Sequence, residues 1–231
     1  MPGASIQAIA RAVQMLDMFS MQQLEFSLPE LTDLFGLGKT TTHRYATTLR
    51  DNGLLRYDQR TGRYSLGTRL IQLGQLAQAA LQVVQLAGPH LERAANELNE
   101  TILLSIWDGK SAVVVRIAEA PRRITYFGVR IGSKLGPETA QTRVFRAHLS
   151  PRANENPDLA AILRHGIAIV TTIEDDVRVV ACPIRQNGEV IAAMAVLGTP
   201  RRIPKGPDST IAKHLRAAVD KLSAELGSGN V

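Results

Sequence analysis

The feature that most constrains the fold is a series of helix and turn signals after residue 26. Ser27-Leu-Pro-Glu30 has the spacing of a capping box, in which the serine caps a helix and the glutamate bonds back to the serine backbone. Gly36 supplies a stop about two turns later. A second helical pattern follows at once, over residues 37–50. The spacing predicts a short helix ending near Phe35, a tight turn and a second helix.

The second helix divides its residue types between two faces. Thr42, Tyr45, Ala46 and Leu49 share one face at 100° per residue and are expected to pack inward. Threonine has modest helix propensity, so the five threonines at positions 40–48 weaken the helix locally. Short hydroxyl and long basic side chains are the types that contact phosphates and base edges. The residues expected to contact DNA are Lys39, Thr40, Thr41, His43, Arg44 and Thr47.

A basic hairpin is predicted after this helix. Residues 54–58 and 63–66 have strand character and flank a turn that contains glycine. Together with a helical pattern at residues 5–20, the order is that of a winged helix-turn-helix, which places the second helix of the pair in the DNA major groove. Arg60 and Arg63 on the hairpin are expected to reach a phosphate or the minor groove. The alternative is a module of the same shape that contacts only proteins.

The placement of charge favours the DNA-binding interpretation. The formal net charge is +6, and basic proteins favour polyanions when the charge is concentrated. Residues 36–69 carry seven bases against two acids. Residues 110–152 carry nine bases against two acids, and either face an anion or form a solvated surface. The first block coincides with the polar helix and the hairpin.

These residues resemble the IclR family of bacterial transcription regulators. Residues 8–16 (AIARAVQML), 37–49 (LGKTTTHRYATTL) and 62–70 (GRYSLGTRL) each match a segment typical of the family, with Gly38 and Thr40 replacing its usual proline and serine. The resemblance continues at lower fidelity to about Leu226. It implies an α+β protein: a winged helix-turn-helix, a long linker helix, and a GAF-like antiparallel sheet domain that binds a small organic effector. It also implies a dimer or a dimer of dimers.

The second half of the chain is expected to form an antiparallel α+β domain. Residues 70–87 carry no charge, which predicts a linker helix that ends at Gly88-Pro89 and is buried by pairing with another subunit. Asn187-Gly188 between apolar runs predicts a hairpin. The predicted strands are 102–107, 112–117, 124–129, 167–171, 178–184 and 190–197, between helices at 89–99 and 208–226. The predicted domains are 1–68 for DNA binding, 69–87 for the linker and 88–231 for the effector.

The expected effector site follows from the family resemblance. The family's pocket loop agrees with Gly132-Ser-Lys-Leu135, but Glu138 and Arg143-Val144 stand where histidine and Gly-Lys are usual. A late strand of the family usually carries two serines, and Ala195 and Leu197 stand at those positions in this sequence. The pocket is therefore expected to be less polar than in members that bind glyoxylate or pyruvate. We expect an apolar or aromatic ligand with one anionic end, paired with Arg130 or Arg143. The predicted site residues are Arg130, Leu135, Thr139, Ala140, Arg143, Asp176, Cys182, Ala195 and Leu197.

Two alternatives to an effector-responsive regulator remain. Ala195 and Leu197 could simply close the cavity, which would leave a constitutive DNA-binding dimer. An enzyme built on the second domain would need an ionisable cluster that the sequence lacks. The single cysteine, Cys182, lies in an apolar strand pattern, and the scattered histidines have no metal-ligand spacing. We therefore expect no enzyme activity, cofactor or metal.

The expected partners are a double-stranded DNA operator, a small-molecule effector and further copies of the chain. The sequence has no run of 18 apolar residues, which argues against a membrane span. Its N-terminus lacks the pattern of a secretory signal. We therefore expect a cytoplasmic protein without a membrane partner.

Overall fold

The computed structural model describes residues 6–119, 128–172 and 176–228. The chain divides into two compact units, Met1–Ala77 and Gln78–Val231. Within these ranges, the buried apolar side chains of the first unit form one cluster, and those of the second unit form two, one on each face of its sheet.

The first unit is a winged helix-turn-helix, as predicted. Its three strands form an antiparallel sheet in the order β1-β3-β2. Strand β1 was not predicted; it is three residues long and pairs Phe26 with Tyr64 of β3. The elements are α1 (Gln7–Leu16), β1 (Glu25–Ser27), α2 (Leu28–Phe35), α3 (Lys39–Asp51), β2 (Leu55–Asp58) and β3 (Arg63–Leu66).

The capping box fixes the start of α2. The Glu30 amide donates to Ser27 Oγ at 3.4 Å, and the Ser27 amide donates to Glu30 Oε2 at 2.6 Å. Gly36 ends the helix with φ 68°, a conformation that glycine adopts without a steric penalty. The predicted helix boundaries are therefore confirmed, and the turn between α2 and α3 is short.

The single linker helix predicted over residues 70–87 is wrong. Helix α4 (Thr68–Ala79) ends two residues before α5 (Gln82–Leu98) begins, and α5 continues through Pro89. Gly88 does not stop the helix. It lets the Arg116 guanidinium approach, because a Cβ at position 88 would lie 2.7 Å from Arg116 Nη2. The same guanidinium donates to the carbonyl of Val84 at 3.2 Å.

The second unit is an antiparallel α+β domain, as predicted. The six strands found among the described residues of this unit follow the order β6-β5-β4-β9-β8-β7. The hairpin at Asn187-Gly188 is present, with φ values of 51° and 85°. The elements after α5 are β4 (Thr101–Trp107), β5 (Ala112–Ala118), β6 (Lys134–Leu135), α6 (Ala140–Leu149), a 3-10 turn (Ala153–Glu155), α7 (Pro157–His165), β7 (Ala168–Thr172), β8 (Val177–Gln186), β9 (Glu189–Gly198) and α8 (Thr210–Ser228). The predicted strand over 124–129 lies mostly outside the described residues.

The two faces of the six-stranded sheet pack against different helices. Side chains of α5 and α8 pack on the face of the sheet that carries Met194 and Val196 of β9. Side chains of α6 and α7 pack on the opposite face, which carries Ala193 and Ala195 of β9. This division follows from the alternation of side chains along a strand.

Candidate nucleic-acid interface and effector site

Helix α3 turns its polar face to solvent. Thr42, Ala46 and Leu49 are buried against the core of the first unit, as the helical spacing predicts. The exposed side chains on the other face are Lys39, Thr40, His43 and Arg44. Thr41 and Tyr45 are half-buried. Hydroxyl, imidazole and cationic groups are thus presented together on one surface of α3.

Two threonines near the middle of α3 are less available than this pattern suggests. Thr47 is half-buried, and its Oγ1 is buried without a hydrogen-bond partner among the described residues. The exposed Thr48 donates its hydroxyl to the carbonyl of Arg44 at 2.8 Å. The Thr47 hydroxyl, which we predicted to contact DNA, is therefore covered in this structure.

Four cations on and near α3 have no side-chain hydrogen bond or ion pair within the described part of the chain. They are Lys39, Arg44, Arg56 and Arg60. By contrast, Arg50 pairs with Asp51 at 2.8 Å. Arg56 was missed from the sequence, although strand alternation gives the signal: Leu55 is buried, so Arg56 points outward.

The two arginines predicted on the wing have different surroundings. Arg63 donates to the Glu25 carbonyl at 3.1 Å and to Glu30 Oε1 at 3.3 Å. Arg60 lies at the tip of the hairpin, where its amide donates to Asp58 Oδ1 at 2.8 Å and leaves its side chain exposed. That amide bond lowers the pKa of Asp58 below its ordinary value. The wing therefore offers Arg60 to a ligand, whereas Arg63 holds the hairpin to α2.

In the second unit, four of the predicted effector residues come together on the α6 face of the sheet. Ala140 and Ala195 are fully buried there, and Leu197 is 3% exposed. Leu135 packs against the same cluster. This face is closed by α6, whose Phe145 is fully buried, with its ring centroid 5.4 Å from that of Trp107 and the two rings tilted by 32°.

The other predicted effector residues do not join that group. Cys182 points to the opposite face, toward α5 and α8, because it is one residue out of phase with Ala181. Burial raises the pKa of its thiol to about 12. Thr139 donates its hydroxyl to the Gly136 carbonyl at 2.8 Å, and Arg143 pairs with Glu138 and lies 3.9 Å from Asp158. Arg130 and Asp176 are exposed.

Sequence reasoning missed three buried polar side chains on the α6 face. They are Ser105 of β4 and Gln141 and Thr142 of α6, all at most 2% exposed. Thr142 Oγ1 donates to the Leu135 carbonyl at 3.3 Å and accepts the Ala112 amide at 3.4 Å. The signal for Ser105 was visible, since it interrupts an otherwise apolar strand pattern.

Among the described residues, no group of three or more histidine, cysteine or acidic side chains is placed to hold a metal ion. No helix in the same ranges is long and apolar enough to cross a membrane.

The comparisons with known proteins agree with this architecture. Residues 8–59 match the family model of the IclR helix-turn-helix domain. The chain is also 27% identical over 246 aligned positions to the HTH-type transcriptional regulator XynR of Escherichia coli strain K12, with 96% of this chain and 98% of XynR covered. The chain belongs to the IclR family of transcription regulators.

Solved IclR-family structures share the fold along nearly the whole chain. A regulator from a Silicibacter species superposes with a TM-score of 0.82 at 24% identity, covering 95% of this chain and 96% of that one. An IclR homologue from Microbacterium hydrocarbonoxydans, complexed with 4-hydroxybenzoate, superposes with a TM-score of 0.79 at 22% identity, covering 95% and 99%. This IclR-family chain is therefore a transcription regulator with a DNA-binding helix-turn-helix.

Proposed function

We propose that this regulator reads its operator with the exposed face of α3 and contacts the flanking backbone with the wing tip. The observation that carries the proposal is the set of four unpaired cations, Lys39, Arg44, Arg56 and Arg60. Cations without protein partners are available to neutralise phosphates or to bond guanine edges. On this proposal residues 1–68 bind DNA, residues 69–87 connect, and residues 88–231 sense an effector.

We propose that two copies pair through the apolar surfaces of α1 and α4. Helix α4 has no buried residue within one chain, and its Ile71 and Leu76 are 62% and 68% exposed. On α1, Ile9 is 61% exposed, and Ile6, which immediately precedes the helix, is 66% exposed. Exposed apolar side chains in such groups are typical of association surfaces. Pairing would also present two α3 helices to a two-fold symmetric operator.

We propose that the second unit responds to a small organic acid with an apolar body. On the α6 face, β9 presents Ala195 and Leu197 at positions where hydroxyl groups would favour small keto acids. The 4-hydroxybenzoate bound by the Microbacterium homologue, which shares this fold, supports an aromatic acid. The ligand would change DNA binding only to the extent that it prefers one arrangement of the regulator over another.

One observation favours the second candidate, a constitutive DNA-binding dimer. Ala140 and Ala195 are completely covered, and Phe145 fills the space between α6 and the sheet. Calorimetric titration with 4-hydroxybenzoate and with pyruvate separates the two candidates. Heat of binding and weakened operator binding with the aromatic acid would support a regulator that senses an effector. Tight binding of pyruvate alone would contradict the apolar pocket. No response to either acid would support the constitutive DNA-binding dimer.

Fluorescence anisotropy tests DNA reading. The wild-type chain is titrated at two salt concentrations onto the DNA upstream of its own gene and onto unrelated DNA of equal length. We expect tighter cognate binding that survives the higher salt. Arg44→Ala should cost about 1–3 kcal/mol if Arg44 bonds a guanine. Arg50→Ala is the matched control, since Arg50 is already paired on the same helix. Equal effects of the two variants would contradict the assignment of α3.

A further inference from the structure

The start of α4 is hydrogen-bonded to the turn that ends α3. The Gly67 amide donates to the Leu54 carbonyl at 2.8 Å. The Arg69 amide donates to the Gly53 carbonyl at 3.3 Å, and the Arg69 guanidinium donates to the Asn52 carbonyl at 3.0 Å. Three successive carbonyls of the turn therefore accept hydrogen bonds from one short segment between β3 and α4. We call this arrangement of residues 52–54 and 67–69 the α3–α4 joint.

The guanidinium in this joint caps the recognition helix. Asn52 is the C-cap residue of α3, and the last carbonyls of a helix have no acceptor role within it. A cation at that end also interacts favourably with the helix dipole. The basic residue in the last turn of α3 itself is Arg50, which is paired with Asp51. Arg69 therefore supplies from α4 a cation that α3 does not have free.

Side-chain packing does not set the direction of α4 in the first unit. No residue of α4 is buried, and none belongs to the apolar cluster of this unit or to the half-buried side chains packed against it. The backbone is close only at the joint, where a Cβ at position 67 would lie 2.1 Å from the Gly53 carbonyl oxygen. The direction of residues 68–77, which belong to this unit, is therefore set by the α3–α4 joint.

We propose that Arg69 is a positioning residue that determines which spacing of operator half-sites the regulator accepts. This inference rests on the proposed DNA reading by α3 and on the proposed pairing of two copies through α1 and α4. A partner bound to the exposed apolar surface of α4 is held in a fixed direction relative to α3 only if the joint is rigid. Arg69 touches no DNA on this proposal and acts through the backbone carbonyls of the turn.

Operator spacing provides the readout that distinguishes positioning from stability. The binding site in the DNA upstream of the regulator's own gene is first mapped by footprinting. Two base pairs are then inserted between its half-sites, which rotates one half-site by about 70° and shifts it by about 7 Å. We expect the wild-type full-length chain to bind the lengthened operator about tenfold more weakly in fluorescence anisotropy, because a rigid pair cannot follow the displaced half-site.

Two variants at position 69 loosen the joint in steps. Arg69→Ala removes the guanidinium bond, and Arg69→Pro also removes the amide bond. Proline is tolerated in the first turn of a helix, and α2 already carries Pro29 at its second position. We expect the penalty for the insertion to fall to about threefold in Arg69→Ala and to less in Arg69→Pro. The affinity for a single half-site should stay that of the wild type in both.

Thr68→Pro is the matched control. It places the same ring one position earlier in α4 and leaves both bonds of Arg69 in place. It should therefore keep the tenfold penalty for the lengthened operator. Hydrogen exchange followed by NMR measures the joint without DNA. The Gly67 amide should be protected in the wild type and in Thr68→Pro, and should exchange faster in Arg69→Pro.

The inference is overturned if both variants at position 69 keep the wild-type penalty, or if Thr68→Pro loses it as they do. Free exchange of the Gly67 amide in the wild type would also overturn it, since the joint would then be absent. A wild type that binds the mapped DNA no more tightly than unrelated DNA would contradict the proposed DNA reading itself, and this inference with it.

Discussion

The guanidinium of Arg63 on β3 bonds the carboxylate of Glu30 in the first turn of α2, with Nη1 3.2 Å from Oε2 and Nη2 3.3 Å from Oε1. Glu30 also closes the capping box with Ser27, and its pKa is lowered first by the Ser27 bonds and then by Arg63. One carboxylate thus joins the hairpin to the start of the helix-turn-helix. Arg63 stabilises the position of the wing, and Arg60 remains free for DNA.

Substitutions at these two arginines should therefore have opposite signatures. Arg63→Ala is expected to lower the Tm by about 2–4 °C, because the pair is half-exposed and screened by solvent. Arg60→Ala is expected to leave the Tm unchanged and to reduce the slope of log affinity against log salt by about 1, the value for one lost phosphate contact. Calorimetry and anisotropy on both variants check this. A larger loss of stability in Arg60→Ala would contradict the division of roles.

Gly67, at the junction of β3 and α4, packs against the backbone of Gly53. A Cβ at position 67 would lie 2.1 Å from the Gly53 carbonyl oxygen, and backbone atoms cannot move aside as a flexible side chain can. Gly67→Ala should cost at least about 2 kcal/mol of unfolding free energy in urea titration. Gly227→Ala is the control, since no atom lies within 4 Å of its added Cβ. Equal stability of the two variants would argue against this close packing.

The pair between Arg202 and Glu100 is the most enclosed of the described ion pairs in the second unit. Arg202 Nε lies 2.6 Å from Glu100 Oε1 and Nη2 lies 2.9 Å from Oε2, and the Glu100 side chain is 4% exposed. Arg202→Met should lower the free energy of unfolding by about 1–3 kcal/mol, because it removes two charge-assisted hydrogen bonds from a buried carboxylate. The exposed neighbour gives the control: Arg201→Met should change the unfolding free energy by less than about 0.5 kcal/mol.

His148 predicts a pH dependence of stability. Its pKa is lowered first by burial and then by Arg185. In the unfolded chain the ring takes up a proton near its ordinary pKa of about 6.5. In the folded protein its pKa is lower, so the unfolded state binds more protons just below that pH. Stability is therefore complete above about pH 6.5 and falls as the pH drops toward the folded pKa.

Urea unfolding at pH 7.5 and at pH 5.5 measures this effect. We expect the difference between the two unfolding free energies to shrink in His148→Gln. In His165→Gln, which removes an exposed histidine on α7, the difference should match the wild type. If His148→Gln keeps the full pH dependence, another group causes it.

The sequence determined the local features of the first unit. The capping box, the stop at Gly36 and the buried Thr42–Leu49 face of α3 involve neighbours within a few residues, so spacing alone was sufficient. The order of helices and hairpin then identified the winged helix-turn-helix. In the second unit the Asn187-Gly188 hairpin followed from the same kind of local rule.

Only the tertiary structure decided which side chains have partners within the protein and which face of the sheet they occupy. Arg60 and Arg63 are alike in sequence, but Arg63 meets Glu30 across 33 positions. Cys182 and Ala195 lie on neighbouring strands, but the register puts them on opposite faces of the sheet. Gly88 admits a guanidinium from β5 instead of ending a helix. In each case the deciding partner is distant along the chain, and local spacing carries no information about it.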